Sequence, residues 1–204
     1  MGIYSRAIFP ILCDLILGMP FLNRYRRDLL AGARGDILEI GFGTGLNLRH
    51  YPEHVRHITT VDASPGMHRI ARRRIRQSSL PVESRVLDCA RLPWPENAFD
   101  CVASTWTLCS IADVDVALHE VYRVLRNGGQ FLFLEHGRSP DSGVRKWQER
   151  LNKLEMLVAD GCRLDRDIGS LIAEQPFAHI QLDQSYLPGV PWTHGYTYRG
   201  VATK

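Results

Sequence analysis

The stretch Asp36-Ile37-Leu38-Glu39-Ile40-Gly41-Phe42-Gly43-Thr44-Gly45 constrains this chain more than any other, because an apolar strand runs straight into three glycines at alternate positions. Glycine accepts positive φ and carries no Cβ, so the backbone of such a turn admits a ligand at close range. A helix is expected directly after the turn, adding free N–H groups and a positive dipole end. A second strand, His57 to Val61, stops at Asp62. An acid in that place accepts both hydroxyls of a nucleoside ribose. These features predict a parallel α/β sheet with a nucleoside-bearing ligand at the C-terminal edge of its strands. A dinucleotide fingerprint would need glycine where this chain has Leu46.

The alternation of strand and helix continues. Val86-Leu87 is read as the end of a third strand leading to Asp88, and Cys101 to Trp106 as a fourth. Ala117 to Leu125 has helical spacing and ends in Arg126-Asn127-Gly128-Gly129, a glycine stop before a fifth strand, Gln130 to Leu134. Between the second and third strands a helix from Pro65 to Gln77 turns Met67, Ile70, Ala71 and Ile75 inward and leaves Arg72, Arg73, Arg74 and Arg76 as a solvated face. Beyond Glu135-His136-Gly137, an amphipathic segment from Val144 to Val158 carries Trp147, Leu151, Leu154, Met156 and Leu157, and is expected to cover an acceptor pocket. A short helix, Ile168 to Glu174, precedes two tail strands, Phe177 to Asp183 and Tyr196 to Thr203, joined by an aromatic and proline-rich loop.

At 204 residues and 45% hydrophobic content the chain suits one α/β domain, residues 31–204, with a small N-terminal appendage, residues 1–30. A formal charge of +3 is too mild to imply nucleic acid. Five cysteines, at 13, 89, 101, 109 and 162, form no Cys-x-x-Cys pair, which points to a reducing, cytoplasmic setting without structural zinc. No metal-ligand spacing is visible, and nothing bears on oligomeric state. The apolar run Ile8 to Leu22 is broken by Asp14, Pro10 and Pro20 and is too short to span a bilayer. It is expected to form helices over the site, a placement compatible with peripheral contact at a membrane surface through Arg24, Arg26 and Arg27.

Taken in order, Glu39 to Gly45, Asp62-Ala63-Ser64-Pro65-Gly66-Met67, Val86-Leu87-Asp88-Cys89, Leu92-Pro93-Trp94 leading to Phe99-Asp100, and the strand end Thr105-Trp106 resemble the motifs of class I S-adenosyl-L-methionine (SAM)-dependent methyltransferases. The resemblance implies a Rossmann-like fold, a seven-stranded, mostly parallel sheet of order 3-2-1-4-5-7-6 with helices on both faces. It implies SAM as cofactor and a small-molecule acceptor. It also implies cofactor binding by Glu39, Gly41, Phe42, Gly43, Gly45, Asp62, Ala63, Met67, Asp88, Cys89, Thr105 and Trp106.

Three further motifs, Leu108-Cys109-Ser110, Glu135-His136 and Asp160-Gly161-Cys162 with Leu164 and Arg166, resemble the methyltransferase-like family whose animal members methylate alkyl thiols. The likeness runs from about Asp36 to Gly169, and its SAM motifs are shared with quinone-biosynthesis methyltransferases. Thr197 stands where the family pattern has a histidine. The implied acceptor is a small apolar thiol, with a quinone precursor or phospholipid headgroup as the alternative. His136 is the expected general base and Glu135 its orienting partner or the cap of a neighbouring helix. Cys162 is a competing pocket residue, although direct displacement needs no covalent step through it.

Overall fold

The computed structural model describes residues 2–204. Strands β1 (Asp36–Ile40), β2 (His57–Asp62), β3 (Val82–Val86), β4 (Phe99–Thr105), β5 (Leu125–His136), β6 (His179–Tyr186) and β7 (Tyr196–Thr203) form one sheet of order β3-β2-β1-β4-β5-β7-β6. The first five run parallel, and β7 lies antiparallel between β5 and β6. The expected order and direction both hold.

Strand alternation divides the core into two layers. Ile37, Cys101, Ala103, Leu132 and Leu134 face the side covered by α2 (Asn23–Leu30) and α3 (Pro65–Gln77). Leu38, Ile40, Val102, Phe131 and Phe133 face α4 (Val114–Val124) and α6 (Ile168–Ala173). Side chains of period two on strands and 3.6 on helices meet only in this way. Helix α3 starts where Ser64 accepts a hydrogen bond from Met67 N and Pro65 takes the first turn.

Several elements depart from expectation. No α-helix follows the glycine turn; a single 3₁₀ turn, Leu48–His50, ends at the extended Tyr51. Pro52 bars the α conformation at Tyr51, so the segment cannot propagate and lends no helix dipole to the site. Leu125 to Gly129 belongs to β5, where the register with β4 shifts between Phe99 and Cys101 and Gly128 takes φ +75°. The glycine pair is therefore an irregularity inside a strand, not a helix stop. Asp88 lies two residues past the end of β3.

The basic face of α3 is not wholly solvated. Arg74 donates to Asp14 at 2.7 Å and to the Thr44 carbonyl at 2.9 Å, and Thr44 Oγ1 donates to the same carboxylate at 2.5 Å. Asp14 sits on α1 (Phe9–Leu17), so this ion pair ties the N-terminal segment to both α3 and the glycine turn. Close approach completes the fit: a Cβ on Gly66 would stand 2.4 Å from Arg6 O and 2.9 Å from Pro10 Cγ.

Helix α5 (Ser142–Val158) also departs, because its apolar side chains point outward. Trp147 is 47%, Leu154 56% and Leu157 75% exposed. The helix is fastened instead by buried Gln148, whose amide accepts from Ser139 N at 2.9 Å and donates to the carbonyls of Gly137 and Thr193 at 3.0 and 2.9 Å.

Candidate functional site

A cavity of about 360 Å³ opens at the C-terminal ends of β1, β2 and β4. Gly41, Phe42 and Gly43 form its floor, with φ of +64° and +57° at the two glycines. A Cβ on Gly41 would lie 2.0 Å from the Thr107 side chain, so only glycine fits there. Asp62, Ala63 and Met67 line one wall, Asp88 and Cys89 the next, and Thr105 and Trp106 the far side. Asp62 is held ready: its two oxygens accept from Gly43 N and Ser64 N, each at 2.7 Å. Burial pushes its carboxyl above the usual range, and the two backbone donors oppose that rise.

Two expected cofactor residues lie outside the cavity wall. Gly45 shapes the turn at φ +83° beneath the Phe42 ring. Glu39 is buried below the turn, where Asn47 Nδ2 donates to it at 2.9 Å and Tyr51 at 2.7 Å. Burial pushes its carboxyl up to about 7, with Tyr51, Asn47 and Arg26 pulling the other way.

The spacing of α1 residues at the cavity shows what the motifs did not. Phe9, Cys13 and Leu17, four residues apart, place one side of α1 against the cavity. Arg26 of α2 also reaches it, stacked 4.5 Å over the Trp106 ring. This guanidinium is 2% exposed, and its Nε and Nη1 have no hydrogen-bond partner. Burial lowers its pKa to about 10. The segment is expected over the site, and its apolar repeat of four would have picked out these three residues; nothing in the basic run distinguishes Arg26 from Arg24 or Arg27.

At the acceptor edge, Glu135 does not touch the His136 ring. It accepts from Ser104 Oγ at 2.6 Å, Thr107 N at 2.8 Å and Leu108 N at 3.0 Å, and so caps the loop after β4. Burial drives its carboxyl up to about 8. Buried Arg166 clamps the same loop from the other side, donating to the carbonyls of Leu108 and Ile111. His136 is buried, with Nε2 3.1 Å from Cys162 Sγ, and does not line the cavity. It is therefore not presented as a free base. Cys109 completes a buried trio with His136 and Cys162, which sequence spacings of 26 and 27 residues conceal. A hydrogen bond from Cys162 holds the Cys109 thiol well below its usual range, and the same bond pushes Cys162 up.

A methyltransferase domain model matches residues 38–133. The chain is 32% identical over 180 residues to human thiol S-methyltransferase TMT1A, covering 83% of this chain and 73% of the relative. It spans only 62% of the rat thiol S-methyltransferase TMT1B. The chain belongs to the SAM-dependent methyltransferases. Within this family it is also 29% identical to the Vibrio cholerae ubiquinone/menaquinone biosynthesis C-methyltransferase UbiE, over 93% of this chain and 76% of that one. The fold matches Haemonchus contortus phosphoethanolamine N-methyltransferase 2, solved with S-adenosylhomocysteine, at TM-score 0.74 and 18% identity, covering 96% of this chain and 57% of that one. As a methyltransferase of this family the chain uses SAM, and the glycine cradle, Asp62 and the orphaned Arg26 guanidinium suit a nucleoside that also carries an amino-acid carboxylate.

Proposed function

We propose that this methyltransferase acts on the sulfur of a small apolar thiol. The observation that carries the reading is convergence: the three segments that resemble thiol methyltransferases, distant in sequence, meet as Cys109, His136 and Cys162 beside the cavity. Ser110 and Ile111, which follow Cys109, line that cavity, as does Asp160 near Cys162.

Bound SAM supplies a methyl group on an already activated sulfonium. The chain's residues then have to align the acceptor and keep water out. In this reading Gly41 and Gly43 let the backbone approach the cofactor, Asp62 accepts from the ribose hydroxyls, Asp88 takes the adenine amino group, and Arg26 receives the carboxylate. Phe9, Cys13 and Leu17 act as a lid that supplies an apolar wall. The outer faces of α1 and α5 rest on a lipid surface through Ile11, Leu15, Ile16 and Leu157, each more than half exposed. No single helix among the described residues is long and apolar enough to cross a membrane; the N-terminal pair Tyr4–Leu17 and Pro20–Leu30 reaches that length and composition only together, across a bend of 66°.

The test is an acceptor panel scored by S-adenosylhomocysteine release: an apolar alkyl thiol, a quinol precursor, and vesicles containing phosphatidylethanolamine. Turnover greatest with the thiol supports the reading. Quinol methylation without thiol turnover would replace it with the ring C-methylation of the UbiE relative, and headgroup turnover alone with N-methylation.

A further inference from the structure

Cys109 comes from the loop after β4, His136 ends β5, and Cys162 follows α5. Their ligand atoms all lie within 4.8 Å of one another, and all three residues are buried. A tetrahedral zinc with two sulfur ligands and one nitrogen sets neighbouring ligand atoms roughly 3.5–3.8 Å apart, so the trio needs only small side-chain adjustments to hold one. Two thiolates and a soft imidazole favour zinc over hard cations. Two thiolate charges also cancel the dication, so no net charge is buried before the acceptor binds. His136 Nδ1 lies buried without a hydrogen-bond partner, which leaves the ring free to turn either nitrogen to a metal.

The frame around the trio is stiff. Glu135 and Arg166 clamp the Cys109 loop, and Arg163 N donates to the Cys109 carbonyl at 3.0 Å, linking it to the segment that carries Cys162. Neighbouring carboxylates are committed elsewhere: Glu135 to the loop cap, and Glu155 to His194 at 3.3 Å. Three protein ligands with no fourth among the described residues is the donor count of a catalytic zinc site rather than a structural one.

We propose that Cys109, His136 and Cys162 form a Cys₂His zinc site whose open fourth position takes the acceptor thiol as its thiolate. The proposal rests on the thiol reading above and assigns His136 as a ligand rather than a base. A thiol that coordinates zinc gives up its proton, which passes to solvent. The bound sulfur then forms a bond to the methyl carbon while the methyl–sulfonium bond breaks, its electron pair staying on the departing sulfur of S-adenosylhomocysteine. The thioether product is neutral, binds zinc weakly and leaves.

The full chain, purified under reducing conditions with zinc in the medium, is assayed for metal by mass spectrometry, then chelated and reloaded with Co²⁺. The expected result is stoichiometric zinc, a thiolate-to-cobalt charge-transfer band with tetrahedral d–d bands, and a shift of those bands when an alkyl thiol is added without SAM. Cys109→Ser and Cys162→Ser should each lose the metal. Should those variants not fold, the parent's metal content and cobalt spectrum still decide. Chelation should lower thiol turnover at pH 7 by about thirtyfold or more, the ratio of full ionisation to the few per cent thiolate of a free thiol, and raising the pH should recover it. A parent that binds no zinc at saturation, or whose two cysteines are found as a disulfide, overturns the site. Unchanged thiol turnover after chelation overturns the zinc role but leaves the thiol reading standing. A zinc-loaded protein that answers thiol in its cobalt spectrum but methylates only phenols or amines keeps the site and sinks that reading.

Discussion

The cofactor side and the acceptor side of this molecule are built on opposite principles. Around β1, β2 and β4, apolar side chains are buried in two layers, and the polar groups that line the cavity stand at the strand ends, with the buried Glu39 network beneath the glycine turn as the exception. Beyond β5 the arrangement is inverted. Glu135, His136, Gln148 and Arg166 are buried, while Trp147, Leu154, Leu157 and Trp192 are exposed. The first region is held mainly by removal of apolar area from water, whereas the attachment of α5 and of the loop after β4 depends on satisfaction of buried polar groups. Burial tolerates exchange for a residue of similar size, whereas a buried hydrogen-bond network does not tolerate the loss of one partner.

The sharpest break of that contrast is Gln148→Leu, which keeps the volume but strands Ser139 N and the carbonyls of Gly137 and Thr193. At about 1–3 kcal/mol for each stranded group, the loss should be roughly 3–6 kcal/mol by denaturant unfolding, more than a typical core truncation. A cost under about 1 kcal/mol would mean that packing holds α5 after all.

On the cofactor side, Glu39 gives the next largest effect. Its carboxyl is raised from 4.5 to about 7 in the folded protein, so its contribution to stability is fully present below pH 4.5 and is lost as pH rises through 7. Melts of the parent and Glu39→Gln across that window should diverge by on the order of 3 kcal/mol, with the variant flatter. Parallel curves would place the burial cost elsewhere.

Gly41→Ala forces a Cβ into Thr107 at a φ of +64° and should weaken SAM binding by about a hundredfold or more in a calorimetric titration. Arg26→Leu should lower SAM affinity about ten- to hundredfold while leaving the ligand-free melting temperature unchanged or higher, because a buried cation with two unpartnered nitrogens is removed. If affinity is unaffected, the carboxylate role of Arg26 goes. The smallest effect belongs to Leu157→Ala, 75% exposed, which should alter stability by no more than about 0.5 kcal/mol yet reduce vesicle co-sedimentation. Unchanged vesicle binding would detach the outer face of α5 from any lipid.

This contrast also explains which parts were legible in the sequence. Helix Pro65–Gln77 and strand Tyr196–Thr203 match their expected bounds because periodicity, a Ser-Pro start and β-branched residues all act locally. Gly41, Asp62 and Asp88 reach the cavity because strand ends fix them. The helix expected after Gly45 fails on Pro52, which disfavours the α conformation at Tyr51. The buried trio, the Glu135 cap and the Arg166 clamp had no local signal. Each joins segments more than twenty residues apart, and a polar residue destined for burial reads the same as one destined for solvent. Helix α5 misled for the converse reason: its apolar stripe is real but has no protein partner.

The tryptophans are distributed so that each region carries its own light source. Trp106, at φ +50°, stands in the cavity wall beneath the Arg26 guanidinium. Trp147 and Trp192 meet edge to face at 6.3 Å on the outer surface, each about half exposed. Cofactor entry alters the surroundings of the first and leaves the outer pair in water; docking of the outer face on lipid does the reverse. Emission from Trp106-only and Trp147/Trp192-only variants therefore separates the filling of the pocket from the seating of the molecule on a surface, with no added dye.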